Sequence, residues 1–179
     1  IIPTVALFII CLVATTLLAL ANNVTAPIIE KNSAESEAQS RMEVLADAKS
    51  FEDKTFNGIS YAVGLDGSKQ TVGMVFTTTS KSYGGDLIVM TGVDNEGKVT
   101  GIQILSISDT AGLGMKAKEP SFYEQYVGKN PTKFAVSKDG GDGEQIDALS
   151  GATITSRAVT GAVNAALGYY QNAFGQGGN

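Results

Sequence analysis

The hydrophobic pattern divides the 179-residue chain into three regimes. From Ile1 to Ala21 it is almost unbrokenly apolar, and no charged side chain occurs before Glu30. As a helix, such a run rises about 30 Å, the hydrocarbon thickness of a bilayer. It predicts a transmembrane anchor within residues 1–29, with Pro3 where a helix start tolerates it. Ala19-Leu20-Ala21 also spells a signal-peptide cleavage site, the second reading of the same stretch. Residues 30 to about 50 are rich in Ala, Glu and Gln and predict a helix, with Ala38, Met42, Leu45 and Ala46 as a narrow apolar stripe. Residues 30–55 are read as a helical connector leading to a domain over 56–179.

From Ile59 the period drops to two. Ile59–Gly64, Val72–Thr79, Asp86–Gly92 and Lys98–Ile107 alternate and are β-branched, as strands do. Asp66-Gly67, Tyr83-Gly84-Gly85 and Asp94-Asn95-Glu96-Gly97 separate them with turn chemistry. Such short turns imply an antiparallel meander. In the last strand Ile102, Ile104 and Ser106 point one way, and Gln103, Leu105 and Ile107 the other. Pro120 to Tyr126 reads as a short helix sharing Phe122, Tyr123 and Tyr126 on one face. Asp139 to Gly143 reads as a flexible loop. Thr155 to Phe174 is a helix whose Ala158, Val159, Ala162, Val163, Ala165, Ala166 and Tyr170 suit close packing on a sheet. The fold class is α+β: one N-terminal transmembrane helix, then a small antiparallel sheet covered by helices.

Composition narrows the chemistry. The net charge is −5, and all 13 basic and 18 acidic side chains lie beyond residue 29. No basic patch is available to neutralise nucleic-acid phosphates. The chain has no His, and its single Cys, Cys11, lies in the apolar run. Zinc and iron–sulfur sites need several such ligands, and a Ser–His–Asp arrangement needs a His. No metal site and no catalytic residue is assigned, so any redox chemistry must sit on an organic cofactor. Glu30, Lys31, Glu35 and Glu37 make a slightly acidic flank just after the span, which favours a soluble part outside the cytoplasm.

The densest candidate chemistry is Asp147-Ala-Leu-Ser-Gly-Ala-Thr-Ile-Thr-Ser156. It gathers Ser150, Thr153, Thr155 and Ser156 around Gly151 and Ala152 where a helix should begin. A helix start offers unpaired N–H groups and the positive dipole end, so it can hold a phosphate. Hydroxyls there cap the helix, bond the phosphate, or become esterified to it. A second segment, Ser108 to Lys116, follows a strand. Gly112 and Gly114 let backbone approach a ligand beside Leu113, Thr110 offers a hydroxyl, and Lys116 offers charge; a plain turn with a solvated Lys is the other reading. Tyr83 and Gly84 form a third candidate, a ring for stacking beside a glycine turn. Phe122 to Lys129 is read as core packing.

The 147–153 segment resembles the covalent-flavin motif Asp-x-x-Ser/Thr-Gly-Ala-Thr of the FMN-binding domain family, through Asp147, Ser150, Gly151, Ala152 and Thr153. Thr110, Gly112, Leu113 and Gly114 resemble the family's Glu-Thr-Pro-Gly-Leu-Gly element; Ser108, Asp109 and Ala111 depart from it. Tyr83-Gly84-Gly85 resembles its Tyr-Gly-Gly element. The order of parts resembles the flavin subunits of Rnf-type ion-pumping ferredoxin:NAD oxidoreductases, and their longer relatives in sodium-pumping quinone reductases. That resemblance implies covalent FMN on Thr153 through a phosphoester, attached by a separate flavin transferase, with Asp147 read by that enzyme or bonding the helix start. It implies a single-pass electron relay in the inner or plasma membrane, its FMN domain on the extracytoplasmic side. The implied partners are the lipid bilayer and the other membrane, iron–sulfur and flavin subunits. A membrane-anchored non-redox binding module or a sensor remains the alternative of another class.

Overall fold

Tight turns built on acidic and amide side chains lay five strands side by side in chain order. The computed structural model describes residues 2–174. It begins with α1 (Ile2–Val44), followed by β1 (Ser50–Phe56), β2 (Ile59–Leu65), β3 (Thr71–Ser82), β4 (Gly85–Asp94) and β5 (Val99–Ser106). These strands make one antiparallel sheet, β1-β2-β3-β4-β5. The short helix α2 (Pro120–Tyr123), the parallel pair β6 (Phe134–Val136) and β7 (Glu144–Ile146), and the long helix α3 (Thr153–Phe174) complete the fold. The turns explain themselves locally. Asp66 Oδ1 accepts the N–H groups of Ser68 and Gln70, and Asp94 Oδ1 those of Glu96 and Lys98. Each Asp thus closes its turn on its own backbone.

The chain divides into two units after Gln39. The first is helical. Its Pro3–Asn23 segment is long and apolar enough to cross a membrane. Thr15 and Thr16 return their hydroxyls to carbonyls of Cys11 and Leu12 at 2.8 and 2.7 Å, which keeps them satisfied in a segment of this polarity.

In the second unit, the sheet carries an apolar layer on each face. Val63, Met74, Phe76, Leu87, Val89, Val93, Ile102 and Ile104 pack under α3, which contributes Val159, Ala162, Val163, Ala166 and Leu167. Burying each of the larger side chains is worth about 1.5–3 kcal/mol. Small residues let α3 lie close, and Thr78 on β3 reaches up to donate to the Ala162 carbonyl at 3.0 Å. On the opposite face Val44, Leu45 and Ala48 cover Ala62, Val75 and Met90. The backbone of Val44 sits directly on Gly92 and Gly101, and a Cβ on either would collide with it.

The connector differs from its sequence expectation. Its helix stops at Val44, and residues 50–56 form an extra edge strand, β1. Met42 and Ala46 are exposed, while Val44, Leu45 and Ala48 are buried. The apolar positions serve the back of the sheet rather than a helical stripe. β1 joins β2 through Asn57-Gly58, both at positive φ of 50° and 80°, the two-residue turn that matches strand twist. Of residues 139–143, expected to be a flexible loop, Asp139 ends a 3-10 turn (Ser137–Asp139) and residues 140–143 lead into β7. Helix α3 begins at Thr153, two residues before the pattern placed it.

Candidate functional site

Three chain segments meet at one buried carboxylate. Asp109, in the loop after β5, is 7% exposed. The Ser82 hydroxyl at the end of β3 and the Thr155 hydroxyl in the first turn of α3 both donate to its Oδ2. The Gly84 N–H donates to Oδ1 at 2.6 Å, and the Tyr83 N–H joins it. Burial pushes the Asp109 carboxyl up, but these four donors outweigh burial and hold it below its ordinary value. The charge is therefore retained as a tie between segments. Gly84 can make its bond only because it has no side chain: a Cβ there would run into the Ser108 carbonyl.

Beside this tie opens a cavity of about 500 Å³. Its wall holds Tyr83, Thr110, Leu113, Gly114, Gly151, Ala152, Thr153 and Thr155 from the sequence candidates. It also holds Asp109, Lys138 and Ile154, which the sequence did not single out as ligand contacts. Asp147, Ser150, Gly84, Gly112 and Lys116 are not on the wall. Asp147 is exposed, and its backbone N–H and carbonyl are held by the Gln125 amide. Gly84 serves Asp109, and Lys116 lies on the 3-10 turn Gly114–Lys118, exposed and off the cavity wall.

The four hydroxyls at the helix start separate by their bonds. Ser156 Oγ accepts from the Leu149 N–H and donates to the Ala152 carbonyl, closing the turn into the helix. The proton of Thr155 is committed to Asp109. Ser150 is exposed and off the wall. Thr153 is on the wall, half-buried, and among the described residues its hydroxyl has no partner. Ala152, just before the helix, has no polar side chain with which to cap it, so the first-turn N–H groups stay available. Gly151, at φ +74°, turns the chain into this start with Leu113 Cδ2 3.2 Å from where its Cβ would be.

The wall chemistry has two ends. The helix start and Lys138 suit an anion. In the second unit the exposed large apolar side chains are Met42, Phe56, Tyr83, Leu113, Val127 and Ile154, and three of them, Tyr83, Leu113 and Ile154, ring this cavity. A flat aromatic ligand carrying a phosphate fits both ends, and the volume lies in the range of small-molecule sites.

Known proteins agree with that picture. The FMN-binding domain model matches residues 82–168. The chain is 35% identical to the G subunit of the Na(+)-translocating ferredoxin:NAD(+) oxidoreductase complex of Acetobacterium woodii, over 93% of this chain and 89% of that protein. It is 32% identical to the G subunit of the ion-translocating oxidoreductase complex of Methanosarcina acetivorans, over 92% and 91%. The G subunit of a proton-translocating ferredoxin:NAD(+) oxidoreductase complex from Clostridium ljungdahlii is 30% identical over 90% and 86%. In fold, the chain is similar to the crystal structure of Shewanella oneidensis NqrC, with TM-score 0.54 and 19% identity over 76% of this chain and 72% of that one.

Proposed function

The chain belongs to the family of G subunits of ion-translocating oxidoreductase complexes, and on that premise we propose that it is a membrane-anchored electron relay carrying FMN covalently on Thr153 through a phosphoester. The observation that carries the attachment point is the Thr153 hydroxyl itself, which lies on the cavity wall at the first residue of α3 and has no partner among the described residues. The isoalloxazine of such a flavin accepts and passes on electrons. The residues of this chain hold it. The first-turn N–H groups of α3 face the phosphate, Tyr83, Leu113 and Ile154 offer apolar surface to the ring, and Asp109 keeps the three segments together.

Thr153 is not its own catalyst. A threonine hydroxyl is a weak nucleophile, and the chain contains no His to activate it. Attachment is therefore assigned to a separate flavin transferase that would take FMN from FAD, the Thr153 oxygen replacing AMP at the phosphorus and giving up its proton; Asp147, exposed beside the acceptor loop, is its recognition element. Ferredoxin and NAD are assigned to other subunits of the complex, because this chain has neither cluster ligands nor a dinucleotide-binding glycine pattern. The Pro3–Asn23 helix is assigned as the anchor. The acidic flank beyond it favours a flavin domain on the extracytoplasmic side. There a covalent tether has a physical purpose, since a lost flavin is not replaced from the cytoplasmic pool.

The test is intact-mass analysis of the chain purified from its native membrane. A mass gain of one FMN less one water, localised to the peptide containing Thr153, is expected. An unmodified Thr153 peptide from a complex that still turns over would remove the proposal and leave an anchored binding module or sensor.

A further inference from the structure

One cation stands on the cavity wall, and no motif pointed to it. Lys138 lies on the 3-10 turn Ser137–Asp139 that follows β6. Among the wall residues it is the sole basic side chain; the other charged one, Asp109, has its oxygens occupied by four donors. Among the described residues Lys138 has no ion-pair partner.

The turn that carries Lys138 is fastened from the helix that carries Thr153. Arg157 lies four residues beyond Thr153 in α3, on the same helix face. Its Nε donates to both carboxylate oxygens of Asp139, at 3.0 and 2.9 Å, and its Nη2 joins them. The hydrogen bonds and charge of Arg157 hold the Asp139 carboxyl below its ordinary value. This fork does two things. It fixes the turn against the first turns of α3, and the neighbouring Lys138 lines the same cavity as Thr153. It also occupies the one carboxylate adjacent to Lys138 in sequence, which would otherwise compete for the ammonium.

We propose that Lys138 is the phosphate-pairing cation of this pocket, held in position by the Asp139–Arg157 fork. The inference rests on the reading of the cavity as a flavin site and names which side chain recognises the anionic end. A phosphate at the α3 start faces N–H dipoles on one side and the Lys138 ammonium on the other. The monoester of reversibly bound FMN and the diester carried on Thr153 both keep negative charge there. The flexible lysine stem allows one ammonium to follow the phosphate through both states. Lys116, the cation nearest the glycine loop in sequence, is off the wall and has no part in this.

The experiment uses the full chain in detergent, produced in a host without a flavin transferase, so that binding is reversible. FMN and riboflavin are titrated separately, followed by quenching of flavin fluorescence. The two share ring and ribityl chain and differ in the phosphate. The wild type should prefer FMN by at least roughly tenfold, as expected of a charge-assisted hydrogen bond. Lys138→Gln should erase most of that preference and leave riboflavin affinity unchanged, with an unaltered melting temperature as the control for folding. Lys138→Arg should keep the preference. Arg157→Gln should lower FMN affinity while sparing riboflavin, because the turn is released and Asp139 is freed to pair with Lys138. FMN binding to the wild type should weaken with added salt more steeply than binding to Lys138→Gln. A Lys138→Gln chain that keeps its FMN preference, or loses both flavins equally, overturns the assignment. A wild type that binds both flavins equally also overturns it while leaving the flavin pocket standing. A wild type that binds neither flavin overturns the pocket reading and the cation with it.

Discussion

Thr155 donates its hydroxyl to Asp109 at 2.5 Å, across 46 residues of sequence, and so joins the first turn of α3 to the loop after β5. Thr155 is 1% exposed, so the bond lies out of water and its loss leaves a buried oxygen unmatched. Two hydroxyls and two N–H groups meet the same carboxylate, so its charge is a structural requirement of the pocket.

That requirement sets a pH dependence. A carboxyl whose folded pKa lies below its unfolded value stabilises the fold above the unfolded value, and the contribution is lost as pH falls through the folded value. Stability of the wild type should therefore fall as pH is lowered from 3.8 downwards. Asp109→Asn should lose its share of that slope. It should also be less stable at neutral pH by about 1–3 kcal/mol, since an amide cannot accept from all four donors. Chemical denaturation of both chains across the acid range gives the difference curve; parallel curves would contradict it.

Substitution at the acceptor separates attachment from pocket shape. Thr153→Ala should carry no covalent flavin, and Thr153→Ser should retain it, because only the hydroxyl takes part. Denatured, acid-precipitated protein run on a gel and viewed for flavin fluorescence reads both variants directly. Fluorescence surviving in Thr153→Ala would place the bond elsewhere.

Gly84 tests the close approach of backbone to backbone. An alanine there meets the Ser108 carbonyl, and both partners are main chain. Gly84→Ala should lower stability by about 1–3 kcal/mol, with the Tyr83–Asp109 side of the pocket displaced. The melting temperature should fall, and so should the affinity for reversibly bound FMN in chain made without the transferase.

Thr91 predicts the opposite sign. Its hydroxyl lies fully buried in the sheet with no hydrogen-bond partner among the described residues. Thr91→Val keeps the shape and removes the unmatched oxygen. The variant should be as stable as the wild type or more so, by up to about 1–3 kcal/mol in a denaturant titration. A loss of stability would show that the oxygen is satisfied in solution.

The sheet was largely readable because β2 to β5 alternate. Val89 and Val93 face α3 while Met90 faces the other way, and this is the period of two seen in the chain. β1 was not, because Glu52, Asp53 and Lys54 are exposed at a sheet edge and carry no apolar face. Its signal was the Asn57-Gly58 turn instead. β6 and β7 have three residues each, too few for any period to register. In the site, the hydroxyl cluster marked Ser150, Thr153, Thr155 and Ser156 alike, and the resemblance to the FMN-binding motif singled out Thr153. Asp109 did not: its partners Ser82 and Thr155 lie 27 and 46 residues away, and only the folded chain brings them together. Lys138 belongs to no motif, and its placement depends on a fork from a different element.

Helix α3 has one end on the cavity and its body wedged into the core through Val159, Val163 and Leu167. A chromophore fastened to its first residue would stand on a post that hardly yields when charge arrives or leaves. Surroundings that are already arranged need little nuclear reorganisation for each transfer. The same helix that closes the sheet would thereby keep the barrier to electron hopping low.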